Sequence, residues 1–292
     1  MSFVGLHIHK TAGTSLLRYL EKHVPLRLYG AYALRNYRLS ELPLWASPVQ
    51  TSRDIVWGHA IYESFFYDFA KPIQLFTFLR DPVERIASWY SMLKRRNKLK
   101  TPDQTLEAFA LTHANSMSQM LVTRFPSLSQ DTTVPLHAQA LAVLEKMCFV
   151  GFQAHYNEHL PLLLQLMRVP ICPHTLGTRH NKAKKIPVLE KSEKRLLRDV
   201  NEQDYQLYQH AFDRYAKNPV SPERKLSIRS FALNSDNDGE SIRQKQLQAA
   251  QKKFVSALRL TLGEAGVEDY IHNLCKRYAS CEKMLDLTSK DS

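Results

Sequence analysis

The feature that most constrains the fold is the N-terminal segment 3–16, which reads F-V-G-L-H-I-H-K-T-A-G-T-S-L. Its apolar run ends at Lys10, a turn of small residues follows, and Leu16, Leu17 and Leu20 begin a helical pattern. A strand that passes through a tight loop into a helix is a common phosphate site, because N–H groups at a helix start point toward the anion. The segment therefore predicts a phosphate-binding loop near the start of the chain.

The predicted ligands of this loop are its backbone N–H groups and its polar side chains. We expect the N–H groups of residues 12–15 to face the anion, with hydroxyl donors beside them and a point charge from Lys10. An ordinary strand-to-helix turn with one capping hydroxyl is the alternative interpretation. The predicted phosphate-binding residues of the loop are Lys10, Thr11, Ala12, Gly13, Thr14 and Ser15.

The order of residues distinguishes this loop from a Walker loop. A Walker loop has the pattern G-x-x-x-x-G-K-[ST], in which the lysine follows the second glycine. Here Lys10 precedes Gly13, which argues against a P-loop kinase that uses magnesium and ATP. Two alternatives to a transferase stay open: such a kinase, and a non-catalytic protein that binds polyanions through basic faces.

A second stretch also predicts a strand followed by a helix. Residues 74–79 (Q-L-F-T-F-L) are typical of a buried strand, and Asp81, Pro82 and Glu84 fit an N-cap, a first helical position and a capping box. Arg80 then lies at the carboxyl end of a strand, where open α/β sheets bind ligands. The alternative for Arg80 is a structural salt bridge to Asp81 or Glu84.

The helix that follows Arg80 has a clear apolar face. Ile86, Trp89, Tyr90 and Leu93 recur at helical spacing and are predicted to face the core. Ser88 lies two turns into this helix, on a different face from Trp89.

Together the two stretches resemble the motifs of the sulfotransferase family. K-T-A-G-T-S at 10–15 resembles its 5′-phosphosulfate loop, and R-D-P-x-x-R-x-x-S-x-Y at 80–90 resembles its 3′-phosphate motif. The resemblance implies 3′-phosphoadenosine 5′-phosphosulfate (PAPS) as co-substrate, with Arg80 and Ser88 on the 3′-phosphate and Lys10 at the leaving 5′-phosphate oxygen. It is closest to the heparan and chondroitin/dermatan uronyl 2-O-sulfotransferases and covers roughly residues 3–217. It implies an α/β, P-loop-NTPase-like three-layer fold with a central, mainly parallel sheet flanked by helices.

A histidine between the two motifs is the candidate general base. Residues 54–59 are typical of a strand that ends at His59, and W-G-H at 57–59 is similar to the His-Gly-His segment of that family. An imidazole titrates near neutral pH and can take a proton from an acceptor hydroxyl. A histidine bonded only to backbone is the alternative.

Later segments complete the predicted core. We expect helices at 135–147, 156–167, 192–200 and 204–217, with Pro161 limiting where the second can start, and a strand at 148–152. The loop around Thr178, Arg179 and Asn181 is similar in placement to the late loop of the family that closes over the nucleotide.

The chain is predicted to divide near residue 222. Residues 1–222 form the sulfotransferase domain, and residues 223–292 form a linker and a C-terminal helical extension that packs on the domain or pairs two subunits. The start of the chain shows no signal peptide or membrane anchor, unlike animal glycan sulfotransferases, so a soluble, cytoplasmic enzyme or a trimmed catalytic domain is expected.

The charge and the cysteine content limit which classes of partner and which thiol state are expected. The 292 residues carry 40 Lys and Arg against 28 Asp and Glu, a net charge of +12, which favours a polyanionic partner. No nucleic-acid motif accompanies the basic clusters, and no clustered ligand set predicts a metal. The four cysteines have no paired C-x-x-C spacing; a bridge between Cys275 and Cys281 is the alternative, and free thiols are expected. The expected acceptor is a hydroxyl on an anionic or polyhydroxylated glycan.

Overall fold

A parallel β-sheet forms the centre of the protein. The computed structural model describes residues 2–23, 26–29, 55–59, 61, 63, 72–99, 105–129, 131–172 and 189–224. Five strands in the described residues form one sheet in the order β2-β3-β1-β4-β5, and every neighbouring pair is parallel. The strands are β1 (Ser2–Leu6), β2 (Leu26–Tyr29), β3 (Ile55–Gly58), β4 (Ile73–Leu79) and β5 (Phe149–Phe152). The predicted α/β class with a central parallel sheet is confirmed.

Helices follow or connect these strands. Two follow β1 and β4 directly, and a one-turn 3₁₀ segment, Pro126–Leu128, lies among the others. The described helices are α1 (Gly13–His23), α2 (Pro82–Arg95), α3 (Leu106–Thr112), α4 (Ser116–Arg124), α5 (Leu136–Glu145), α6 (Tyr156–Leu166), α7 (Lys191–Val200) and α8 (Glu202–Tyr215).

The two faces of the sheet bury separate cores. Alternate strand residues point to opposite faces, so Val4 and Leu75 join one cluster with α4, α5 and α8. Phe3 and Phe76 join the other with α1 and α6. Helices therefore cover both faces of the sheet, which is the predicted three-layer arrangement.

A third, smaller core joins α2, α3 and α7. Ile86 is fully buried there, and Trp89, Tyr90 and Leu93 pack against it while partly exposed. The predicted apolar face of the helix after Arg80 is therefore confirmed.

Most predicted elements are present with small shifts at their ends. The strand predicted to run up to Lys10 stops at Leu6, since the positive φ of Lys10 (70°) does not fit extended backbone. Pro161 lies inside α6 instead of limiting its start, so that expectation is wrong. The apolar face of α6, with Leu160 and Leu163 packed on the sheet, outweighs the missing proline N–H.

The described chain ends at the edge of the sheet. Phe149 and Val220 form an isolated antiparallel bridge, and the N–H of Val150 donates to the carbonyl of Pro219 at 3.0 Å. The predicted C-terminal extension beyond residue 224 lies outside the described residues, and the domain boundary stays a prediction. Among the described helices, none combines the length and apolar character that crossing a membrane requires.

Candidate active site

The candidate site lies where the strand order reverses. β1 has β3 on one side and β4 on the other, and ligands of open α/β sheets bind outside the carboxyl ends of strands at such a point. The loops after β1, β3 and β4 all emerge at this edge, because the three strands are parallel. Residues 7–12, His59 and Arg80 are therefore neighbours.

The loop after β1 has the backbone shape of an anion site. Lys10 and Ala12 have φ values of 70° and 71°, on either side of Thr11, and alternating backbone conformations of this kind aim successive N–H groups at a common point. The N–H groups of residues 11–14 make no backbone hydrogen bond within the described part of the chain, whereas that of Ser15 donates to Ala12 at 3.0 Å. Residues 11–14 therefore present free donors, and Ser15 contributes its hydroxyl only.

Contacts inside the protein explain why the loop has a threonine at position 11 and a glycine at position 13. The hydroxyl of Thr11 is buried and donates to the carbonyl of Ile8 at 2.8 Å, so its proton holds the loop together. A Cβ on Gly13 would overlap the imidazole of His7. Glycine is required at this position because the ring packs directly against its Cα.

Lys10 belongs to a group of cations. Its ammonium lies 3.7 Å from the sulfur of Met92 on α2. Burial, followed by the positive charges of Arg80, Arg95 and Arg96, lowers the pKa of Lys10 to about 8. Like charges crowded in this way favour a bound anion, because it relieves their mutual repulsion.

Arg80 is held between α2 and the loop. Its guanidinium pairs with Glu84 at 3.2 Å and donates to the carbonyl of Lys10 at 3.4 Å. Asp81 caps α2 by accepting from the N–H of Glu84 at 3.0 Å, but Glu84 points to Arg80, so its predicted part in a capping box is wrong. The salt bridge is the alternative stated above; the side chain of Glu84 is 57% exposed and that of Arg80 is 10% exposed.

Ser88 lies on α2, two turns after Arg80, and is buried. Its hydroxyl makes no hydrogen bond to another residue in the described ranges. The structure places it on the helix that begins two residues after Arg80.

His59 lies in a column of stacked aromatic and imidazole rings. The order along the column is Trp57, His7, His59, His9 and Trp89, with ring centroids 4.0 to 5.1 Å apart. The Nδ1 of His59 lies 2.6 Å from the carbonyl oxygen of His7. A carbonyl only accepts, so Nδ1 carries the proton and a neutral ring has its lone pair on Nε2. The backbone bond was the alternative stated for His59, and it is present.

The two imidazoles beside His59 are held neutral. Burial, followed by His59, lowers the pKa of His7 well below its ordinary value. Burial, followed by His59 and Arg85, lowers the pKa of His9 to about 3. His59 therefore stacks between uncharged rings near neutral pH.

The sequence did not predict the parts played by His7, His9 and Arg85. The H-x-H pattern at 7–9 was a usable signal, since alternate residues leaving a strand share a face. Arg85, within the R-D-P-x-x-R motif, is buried and pairs with Asp204 at 3.0 Å, 119 residues away. No sequence signal connected those two positions.

Three predicted ligands, Thr178, Arg179 and Asn181, lie outside the described residues and stay predictions. Within the described ranges, no group of three or more His, Cys, Asp or Glu could hold a metal ion. The stacked imidazoles face each other ring to ring and do not converge on one point.

Known proteins offer little evidence about the function of this chain. No protein-family profile and no curated protein matches the chain. Among solved structures, the chain is similar to a retinol dehydratase in complex with androsterone and inactive cofactor PAP. The identity is 12%, the TM-score is 0.31, and the match covers 95% of this chain and 81% of that one. A likeness this weak carries no argument about function.

Proposed function

We propose that the protein is an O-sulfotransferase that moves the sulfuryl group of PAPS to an acceptor hydroxyl. The observation that carries the proposal is the pairing of two anion sites at one edge of the sheet. One is the loop of Lys10, with free N–H groups in residues 11–14. The other is Arg80, whose guanidinium reaches the carbonyl of Lys10 at 3.4 Å.

The residues present fit a nucleotide with two separate anionic ends. The loop supplies N–H donors and one ammonium for a 5′-phosphosulfate. Arg80 supplies a planar fork of N–H donors, and Ser88 a hydroxyl, for a 3′-phosphate. PAPS would supply the sulfuryl group together with its leaving phosphate.

Lys10 is proposed to stabilise the negative charge that develops on the leaving phosphate oxygen. Its pKa of about 8 keeps most of the ammonium protonated at pH 7, while its proton is easier to share than that of an ordinary lysine. Charge stabilisation and positioning carry most of the catalysis in the related phosphoryl transfers.

His59 is proposed to be the general base toward the acceptor hydroxyl. With Nδ1 donating to the carbonyl of His7, Nε2 is the nitrogen proposed to accept the proton of the alcohol. The rings of His7 and His9, which stack on its two faces, limit how the imidazole can turn.

The acceptor is proposed to be a glycan hydroxyl, in keeping with the resemblance to the uronyl 2-O-sulfotransferases. The net charge of +12 suits an anionic chain. Thr178, Arg179 and Asn181 are proposed to complete the nucleotide site.

Calorimetry with PAP and with ADP plus magnesium tests the proposal. PAP, the desulfated product, is expected to bind at least tenfold more tightly than ADP, because a lost charge-assisted contact to the 3′-phosphate costs about 1.5–3 kcal/mol. Magnesium-dependent ADP binding without PAP binding would favour the kinase. Salt-sensitive binding of heparin without PAP binding would favour the polyanion binder.

A further inference from the structure

The end of helix α2 presents a cluster of cations to solvent. Lys94 and Arg95 close the helix, Arg96 is its C-cap, Lys98 follows, and all four residues are exposed. Lys94 lies over the ring of Tyr90, 5.6 Å from its centroid. Within the described ranges, neither guanidinium has an ion pair, a hydrogen bond or a ring contact. The two arginines are therefore cations without a protein partner in that part of the chain.

Arg95 and Arg96 lie on the side of α2 that approaches the phosphate-binding loop. Residues three and four apart share a helix face, so both arginines lie one turn after Met92. The sulfur of Met92 is 3.7 Å from the ammonium of Lys10. Burial, then Arg80 and then these two arginines lower the pKa of Lys10. Both guanidinium groups are therefore within electrostatic reach of the proposed reaction centre.

We propose that Arg95 and Arg96 bind an acidic group of the acceptor, a carboxylate or a sulfate ester, close to the hydroxyl that is sulfated. This inference rests on the proposed function, because it places the acceptor beside Lys10. It adds to that function a binding site for the acidic group and a preference for acidic over neutral acceptors.

The order of residues along α2 places this site on the acceptor side. Ser88, proposed for the 3′-phosphate, is seven residues before Arg95, which is about 10 Å along a helix. Met92 lies between them and contacts Lys10, which is proposed to act at the leaving oxygen. An in-line displacement has the attacking and leaving oxygens on opposite sides of the transferred group. Cations beyond Met92 therefore suit the acceptor and not the nucleotide.

Guanidinium groups are well suited to carboxylate and sulfate oxygens. Each presents a planar fork of N–H donors that can bind an oxyanion at two points, and each stays charged at neutral pH. The alternative explanation of Arg95 and Arg96 is the helix dipole, which favours cations in the last turn of any helix. That explanation predicts that their removal lowers stability and leaves the binding of acidic ligands unchanged.

The test measures the binding of acidic oligosaccharides to the full chain saturated with PAP. The probes are a desulfated heparin hexasaccharide, which keeps its carboxylates, a carboxyl-reduced heparin hexasaccharide, which keeps its sulfates, and neutral maltohexaose. Calorimetry at physiological salt compares the wild type with Arg95→Gln/Arg96→Gln. The control, Arg168→Gln/Arg195→Gln, also loses two exposed arginines, neither of which is among the cations that lower the pKa of Lys10.

We expect the wild type to bind at least one acidic probe about tenfold or more tightly than maltohexaose. Arg95→Gln/Arg96→Gln should lose about 5–30-fold of that affinity, because two exposed charge pairs are removed. The control should stay within about twofold of the wild type, since charges farther away are screened by salt. PAP affinity should change less than about twofold in both variants.

Three results would overturn the inference. They are acidic probes that bind no more tightly than maltohexaose, equal losses in the two variants, and a loss of PAP affinity that matches the loss of probe affinity. The last result would assign the arginines to the nucleotide. A wild type that does not bind PAP would refute the proposed function instead. Titrations of the probes without PAP would then still decide whether Arg95 and Arg96 bind an acidic group.

Discussion

The buried ion pair between Arg85 and Asp204 is expected to be a main determinant of stability. The two side chains are 1% and 0% exposed, and their nitrogen–oxygen distance is 3.0 Å. Asp204 also accepts the N–H groups of Met117 and Ser118, at 2.9 and 2.7 Å, at the start of α4. One carboxylate therefore ties α8 to both α2 and α4.

Replacing Asp204 by asparagine keeps the shape and removes the charge. The guanidinium of Arg85 then stays in the interior without its counter-charge, which costs about 3–5 kcal/mol when one partner of a buried pair is lost. At an m-value of about 3 kcal/mol/M, the urea midpoint should fall by roughly 1–1.7 M. Domains are stable by about 5–15 kcal/mol, so a measurable native state is expected to remain.

The assay is urea unfolding followed by tryptophan fluorescence and circular dichroism. The matched control is the double variant Arg85→Met/Asp204→Asn, which removes the uncompensated charge and keeps an acceptor for the α4 N–H groups. It should be more stable than Asp204→Asn alone by about 2 kcal/mol or more. A single variant within about 1 kcal/mol of the wild type would refute this reasoning.

Three further predictions concern the site. Lys10→Ala should lower kcat with a smaller effect on PAP binding, whereas Arg80→Ala should lose PAP affinity outright; equal behaviour of both in PAP titrations would contradict this division. His59→Ala should bind PAP normally and lose roughly 10²–10⁴-fold in turnover; near-normal turnover would remove His59 as the base. Stability should fall as pH drops from 6.5 toward about 3, because His9 and His7 have lowered pKa values in the folded state and take up protons only when unfolded. Each histidine adds up to about 1.4 kcal/mol per pH unit to the slope of the unfolding free energy against pH. In His9→Phe this slope, measured by urea unfolding at several pH values, should be smaller by the contribution of one histidine; an unchanged slope would contradict the assignment.

Local features of the site could be predicted from the sequence alone. The loop at 10–15, the N-cap Asp81 and the helix after Pro82 depend on residues a few positions apart, and their spacing and capping chemistry are visible in the letters. The parallel sheet also follows, because strands that alternate with helices leave few other arrangements. The end of β1 could not be predicted as well. Lys10 and Ala12 have positive φ values, and the sequence does not reveal a positive φ at residues other than glycine.

The arrangement of the candidate site was decided by the tertiary structure. The strand order places β1 between β3 and β4, and this order brings His7 and His59, 52 residues apart, into one column. The same packing buries Arg85 against Asp204, 119 residues away. Side chains from distant segments meet only when the sheet and its helices exclude water around them. The sequence therefore determined which chemical groups the site contains, and the packing decided which of them contact each other.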